Sequence, residues 1–206
     1  MEIINLEKWD RRDIFYHFFT VAKSTYSITV KMDVTKAFEY SKRNGLSFYI
    51  VMTWIVSNAI NRHKQFKMGF DQNNNPGYYD IVHPQFPVMD KNHNVVSLTA
   101  VYDDSIRVFC ENMEIVIQQY EQYGVIPEKK ENIIMISALP WIDYENFTVN
   151  NESGYHFLFP MVTWGRYKKV EGRISMPLTL QISHAAADGY HCHLFFESVK
   201  ELINSF

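Results

Sequence analysis

The chain predicts an α+β fold: a single domain over residues 1–206, with helices packed on a mixed β-sheet. Two observations carry that expectation. Segments with the two-residue period of strands and segments with helical periodicity follow one another without a regular βαβ alternation. A length of 206 residues and a hydrophobic share of 47% suit one sizeable core.

Taken in order, residues 10–19 fit a short helix, and residues 26–33 read as a strand. Residues 35–44 read as a helix with a start signal in Asp33 and Thr35 and a stop at Gly45. Residues 47–63 are apolar nearly all round, which predicts a buried helix. Residues 71–77 combine Asp, Asn, Pro and Gly and predict the turn of a hairpin. Residues 86–89 and 95–102 read as strands. Over residues 105–123, Ile106, Phe109, Met113, Val116, Ile117 and Tyr120 share one helical face, and Gly124 ends the helix. A charged loop over residues 127–132 leads to strands at 133–137, 157–163 and 166–170, with a turn at Glu171-Gly172. Ile174, Met176, Leu178, Leu180 and Ile182 then alternate with polar residues or proline, the period of a strand with one apolar face. Leu194, Phe195, Val199, Leu202 and Ile203 recur at helical spacing and close the chain.

Composition narrows the function. The net charge of -3 offers no basic field for nucleic acid or acidic membranes. The uncharged stretch 48–61 is too short to span a bilayer, and residues 1–8 do not form a signal peptide. Cys110 and Cys192 have no metal-site spacing and suit a reducing compartment. A soluble, cytoplasmic protein is expected, with no metal. No P-loop, G-x-G-x-x-G, G-x-S-x-G or C-x-x-C is present, so no covalent acyl-enzyme is required.

The most informative stretch is His184-Ala185-Ala186-Ala187-Asp188-Gly189, where the last strand gives way to the last helix. A strand running on to His184 would put that side chain on the apolar face, rigid and partly dried. Burial disfavours imidazolium, and a neutral imidazole can accept a proton, so His184 is the candidate general base. Gly189 is expected at a backbone position needing positive φ or a close approach. His191 and His193 point apart on a helix and are expected to be structural or surface residues.

Further segments carry a resemblance. They are Trp9-Asp10-Arg11-Arg12, Thr25-Tyr26-Ser27-Ile28-Thr29-Val30, His83-Pro84-Gln85-Phe86-Pro87-Val88, Ile136-Ser137-Ala138-Leu139-Pro140-Trp141, Thr163-Trp164-Gly165-Arg166-Tyr167 and the run from Gln181 through His191. With these six in this order, the chain resembles the chloramphenicol acetyltransferases from about Trp9 to the C-terminus. That family's fold is related to the catalytic core of dihydrolipoyl acyltransferases.

The resemblance implies an acetyl-CoA-dependent O-acetyltransferase, most simply one that acetylates a hydroxyl of chloramphenicol by direct attack. Acyl transfer from a thioester needs a base, an oxyanion donor and a shielded meeting place for both substrates. His184 is the base and Ser137 the oxyanion donor, on a loop that Pro140-Trp141 could stiffen. By resemblance, Thr163 helps hold a water at the transition state, and Asp188 pairs with Arg11 to buttress the active-site loop. Phe18, Tyr26, Val96, Phe147 and Val149 are expected to line the acceptor pocket. The resemblance also implies a homotrimer whose sites lie between subunits, with His184 from one and Ser137, Phe18, Tyr26 and Thr163 from its neighbour.

The chain departs from the family pattern in places. Ser183 stands where a histidine is frequent, Ala187 where a cysteine is, Phe18 where a tyrosine is, and Val96 where a phenylalanine is. The segment around residues 94–127 is shorter than usual. Acetyl transfer is therefore a firmer expectation than the acceptor. The alternatives are an acyltransferase for a different small hydroxyl or thiol acceptor, and a non-catalytic trimeric binding protein of the same fold.

Overall fold

The computed structural model describes residues 1–150 and 158–206. Its elements are β1 (Glu2–Ile3), α1 (Arg12–Tyr16), β2 (Thr25–Asp33), α2 (Thr35–Arg43), α3 (Phe48–Asn61), β3 (Met68–Phe70), β4 (Pro76–Tyr78), β5 (His83–Met89), β6 (Val95–Thr99), α4 (Ile106–Tyr123), β7 (Ile133–Leu139), β8 (Met161–Gly165), β9 (Lys168–Val170), β10 (Arg173–Ser183) and α5 (Gly189–Asn204). The main sheet runs β2-β10-β8-β7-β5-β6, with β9 paired to β10. Its β5–β7 and β7–β8 pairs are parallel and its other pairs antiparallel, so the sheet is mixed as the sequence predicts. A small antiparallel sheet β1-β4-β3 stands apart, and its β3–β4 hairpin turns at the Asp71–Asn75 segment.

The helices cover one face of the sheet. α3 is buried along nearly its whole length, from Ile50 through Ile60, because α2, α4 and α5 pack around it. That is what an all-round apolar helix requires. Asp33 accepts from the Thr35 amide at 3.0 Å and the Thr35 hydroxyl at 2.6 Å, which starts α2 where expected. Gly124, at φ 67, ends α4 in the left-handed conformation that glycine tolerates best.

Several expected elements are reshaped. The helix expected over residues 10–19 is α1 followed by a π-turn over His17–Val21. A short 3₁₀ turn, Lys64–Lys67, follows α3. The strand expected over 157–163 is described from Met161, and Phe157 lies outside the described residues.

The sheet's second face also differs from expectation. β10 keeps Ile174, Met176, Leu178, Leu180 and Ile182 toward the helices, yet Pro177, Thr179 and Ser183 on the other face are buried too. A loop over residues 140–150 covers that face around Pro177 and Thr179. Pro177 is tolerated in an inner strand because it falls where β9 stops pairing with β10 at Ser175 and before β8 starts at Leu178.

Candidate active site

β10 ends at Ser183, and the ladder continues one step through the His184 amide, which donates to the Ser24 carbonyl at 2.9 Å. The imidazole then lies in an aromatic slot. Phe18 stacks on it with centroids 3.8 Å apart and planes at 4°, and Tyr26 tilts against it at 5.0 Å. Phe18 comes from the π-turn, Tyr26 from β2. The Tyr26 hydroxyl lies 3.2 Å from the Ala187 carbonyl, to which it donates, and 3.2 Å from Cys192 Sγ. Burial and the Cys192 contact push that phenol upward, so it stays protonated.

Phe18 and Tyr26 therefore stand beside the histidine of their own chain. This corrects the expectation that a neighbouring subunit supplies them: the π-turn and β2 run alongside the end of β10.

Arg11 and Asp188 meet as the family resemblance implies. Arg11 Nη1 donates to Asp188 Oδ2 at 2.7 Å, with both side chains largely covered. Desolvation alone would raise the Asp188 carboxyl, but the Arg11 hydrogen bond, His191 and the Arg11 charge outweigh it and hold the group below the usual carboxylate range. His191 is a structural partner in this cluster. Its Nδ1 accepts from the Asp188 amide at 3.2 Å and lies 2.8 Å from Asp188 Oδ1, while burial pulls its imidazole down toward the neutral form. Gly189 departs from expectation. It opens α5 without a positive φ, and a Cβ there would meet nothing within 4 Å. Glycine meets no backbone demand at the first position of this helix.

Ser137 lies elsewhere. It pairs with Thr163 in the parallel β7–β8 ladder, and Thr163 pairs with Thr179 on β10. His184 is five residues past Thr179, about 16 Å along the strand at ~3.3 Å per residue. One chain thus holds the candidate site as two separated halves.

Two cavities share Ser137. The smaller, about 180 Å³, is lined by Gln85, Ser97, Ser137, Phe147, Val149 and Thr163 among others. The larger, about 440 Å³, is lined by Phe48, Tyr49, Ser137, Trp141, Arg166 and Tyr167 among others. Val96 lines neither; it packs toward the core, and Val95 and Ser97 on the opposite side of β6 line the cavities instead. Sequence reading assigned no role to Tyr49, Arg166 or Tyr167. The Tyr49 hydroxyl is the legible signal, a polar group in an otherwise apolar turn of α3. Among the described residues it is buried without a hydrogen-bond partner, and burial pushes its phenol upward.

Among the described residues no group of three or more His, Cys, Asp or Glu is placed to hold a metal ion. No described helix is long and apolar enough to cross a membrane.

The main sheet thus carries a histidine at the end of β10 and a serine between two cavities. Comparison with known proteins shows the family. The family model described as chloramphenicol acetyltransferase matches residues 1–200. Chloramphenicol acetyltransferases from Clostridium perfringens and Staphylococcus aureus are 31% and 32% identical, covering 99% and 98% of this chain and 95% of each relative. A solved chloramphenicol acetyltransferase superposes with a TM-score of 0.86 at 24% identity, covering 98% of this chain and 99% of that one. The truncated catalytic core of a 2-oxoacid dehydrogenase multienzyme complex from Thermoplasma acidophilum shares the fold at a TM-score of 0.69, 16% identity and 99% and 98% coverage. The chain belongs to the chloramphenicol acetyltransferase family.

Proposed function

We propose that this chain, acting as one domain, transfers the acetyl group of acetyl-CoA to a hydroxyl of chloramphenicol and so inactivates the antibiotic. The observation that carries the reading is the placement of Ser137 in the walls of both cavities. The larger cavity suits the thioester arm of acetyl-CoA, with Trp141 and Tyr167 as apolar walls. The smaller suits part of the acceptor, between Phe147 and Val149.

In this reading His184 takes the proton of the acceptor hydroxyl as its oxygen bonds to the thioester carbonyl carbon. Ser137 donates to the carbonyl oxygen as that oxygen gains charge, and the preorganised donor is worth ~3 kcal/mol in the transition state. The C–S bond then breaks, and the imidazolium returns the proton to the departing sulfur. Thr163 holds a water near the reacting centre. Arg11 and Asp188 fix the turn that carries His184.

The separation of His184 from Ser137 within a chain supports a homotrimer with sites between subunits. His184, Phe18 and Tyr26 come from one subunit, and Ser137, Thr163, Phe147 and Val149 from its neighbour. The buried, unpaired thiols of Cys110 and Cys192 suit the cytoplasm.

Release of free thiol from acetyl-CoA, with chloramphenicol present and absent, tests the reading. Chloramphenicol-dependent release is expected. Release that another small hydroxyl or thiol supports and chloramphenicol does not would assign a different acceptor. No release with any acceptor would favour a binding protein.

A further inference from the structure

A row of hydroxyl side chains crosses the sheet face opposite the helices. Ser137, Thr163, Thr179 and Thr29 stand in register on β7, β8, β10 and β2. Tyr144, from the loop that covers this face, joins them. Its hydroxyl donates to the Thr163 carbonyl at 2.8 Å, and the Thr179 hydroxyl lies 3.1 Å from it. The Thr179 and Thr29 hydroxyls are 2.8 Å apart.

The direction of this chain follows from counting protons. Each hydroxyl has one, and a carbonyl can only accept. The Tyr144 proton is committed to the Thr163 carbonyl. Thr179 must then give its proton to Tyr144, and Thr29 its proton to Thr179. The chain runs one way, from β2 to β8, and hydrogen bonds in such a series polarise one another.

The loop is pressed onto the sheet by independent contacts. A Cβ on Gly165 would lie 2.8 Å from the Ile142 carbonyl oxygen and 2.9 Å from the Tyr144 ring, so only glycine admits the loop here. The Arg166 amide donates to the Ile142 carbonyl at 2.7 Å, and Lys168 pairs with Asp143. Gln181 accepts from the Val149 amide at 2.9 Å and donates to its carbonyl at 2.7 Å. The Tyr144 ring packs on Phe147, with centroids 5.7 Å apart.

We propose that Tyr144 is a positioning residue for the acetyl transfer read above, on which this inference rests. Its phenol fixes the Thr163 backbone and through it the alignment of Thr163 with Ser137, while its ring seats the Phe147 wall of the smaller cavity. Tyr144 acts through Thr163 and does not meet the reacting atoms. Phenylalanine at this position keeps the ring but removes the last link, leaving the Thr163 carbonyl without that donor and the Thr179 hydroxyl without its acceptor.

The test compares wild type with Tyr144→Phe, Thr163→Ala and the double variant, using acetyl-CoA and chloramphenicol. Tyr144→Phe should lower kcat about five- to tenfold, the effect of one lost hydrogen bond, with both KM values within about twofold. In the Thr163→Ala background it should cause no further loss, because both changes act on one residue. A Tyr144→Phe kcat within about twofold of wild type, or losses that multiply, would overturn the proposal. If Tyr144→Phe fails to fold, Thr179→Val removes the donor to the Tyr144 hydroxyl but keeps its bond to Thr163. It should then lower kcat by about twofold, with no further loss in the Thr163→Ala background. A loss that multiplies with Thr163→Ala would overturn the proposal. Hydrogen exchange over residues 139–150 separates this inference from the function. Faster exchange in Tyr144→Phe is expected, and unchanged exchange sinks the clamp whether or not the wild type releases thiol. Absence of thiol release by the wild type sinks the acetyl-transfer reading alone.

Discussion

The Phe18 ring lies face to face with the His184 imidazole, 3.8 Å away and tilted by only 4°. This contact fixes the plane of the ring from within its own chain, while the side chain at the end of a strand would otherwise rotate. Stacked rings contribute about 0.5–1.5 kcal/mol beyond the area they bury.

Replacing the stacking ring should therefore blur the aim of the base without removing it. Phe18→Leu is expected to lower kcat by a factor of about 2–13, the stacking contribution converted to a rate. The acetyl-CoA KM should stay close to wild type, since Phe18 does not line the larger cavity. Steady-state kinetics in both substrates check this. A large rise in the acetyl-CoA KM would place Phe18 in ground-state binding.

His184→Ala should abolish nearly all turnover, by ~10²–10⁴-fold, because it removes the proposed base. Thermal melting and substrate binding should change little. A variant retaining more than about a tenth of wild-type turnover would refute general-base catalysis by His184.

Ser137→Ala should lower kcat by ~10²–10³-fold and raise KM much less, since an oxyanion donor acts in the transition state. A raised KM with unchanged kcat would make Ser137 a substrate-binding residue.

The Arg11–Asp188 pair predicts a pH dependence whose sign is fixed. The folded Asp188 carboxyl titrates below its unfolded value, so the pair's stabilisation is present above about pH 4 and is lost as pH falls through the folded pKa. Asp188→Asn should lower the melting temperature at pH 7, and the gap from wild type should close in acid. Melting curves from pH 7 down to pH 3 check this. A gap that stays constant across that range would show that the charge of Asp188 is not what stabilises the fold.

Local pattern carried much of this fold. The alternation on β10, the apolar surround of α3 and the Asp33/Thr35 start of α2 are all short-range properties, legible before any contact is known. The burial of Thr179 was not legible, because it depends on Tyr144, in the loop over residues 140–150, folding over the sheet. The Arg11–Asp188 pair joins residues 177 positions apart, and only the family resemblance brought them together. That resemblance implied that Phe18 and Tyr26 sit on the neighbouring subunit's side of the cleft, which the structure reverses. Strand pairing between β2 and β10 decides the side, by setting Tyr26 opposite Ile182. The place of Tyr144 was not legible in the sequence, because its two polar partners come from β8 and β10.

The proposed acetyl transfer occurs at a site completed by two subunits, with His184 from one and Ser137 from the next. Inactive His184→Ala chains and inactive Ser137→Ala chains can be unfolded together, reassembled in equal amounts and assayed for chloramphenicol-dependent thiol release. In a closed ring, about a quarter of the clefts would combine an intact histidine with an intact serine, so roughly a quarter of wild-type activity should return. No recovery from a mixture that has reassembled into trimers, or full wild-type activity from a monomer, would contradict the shared site.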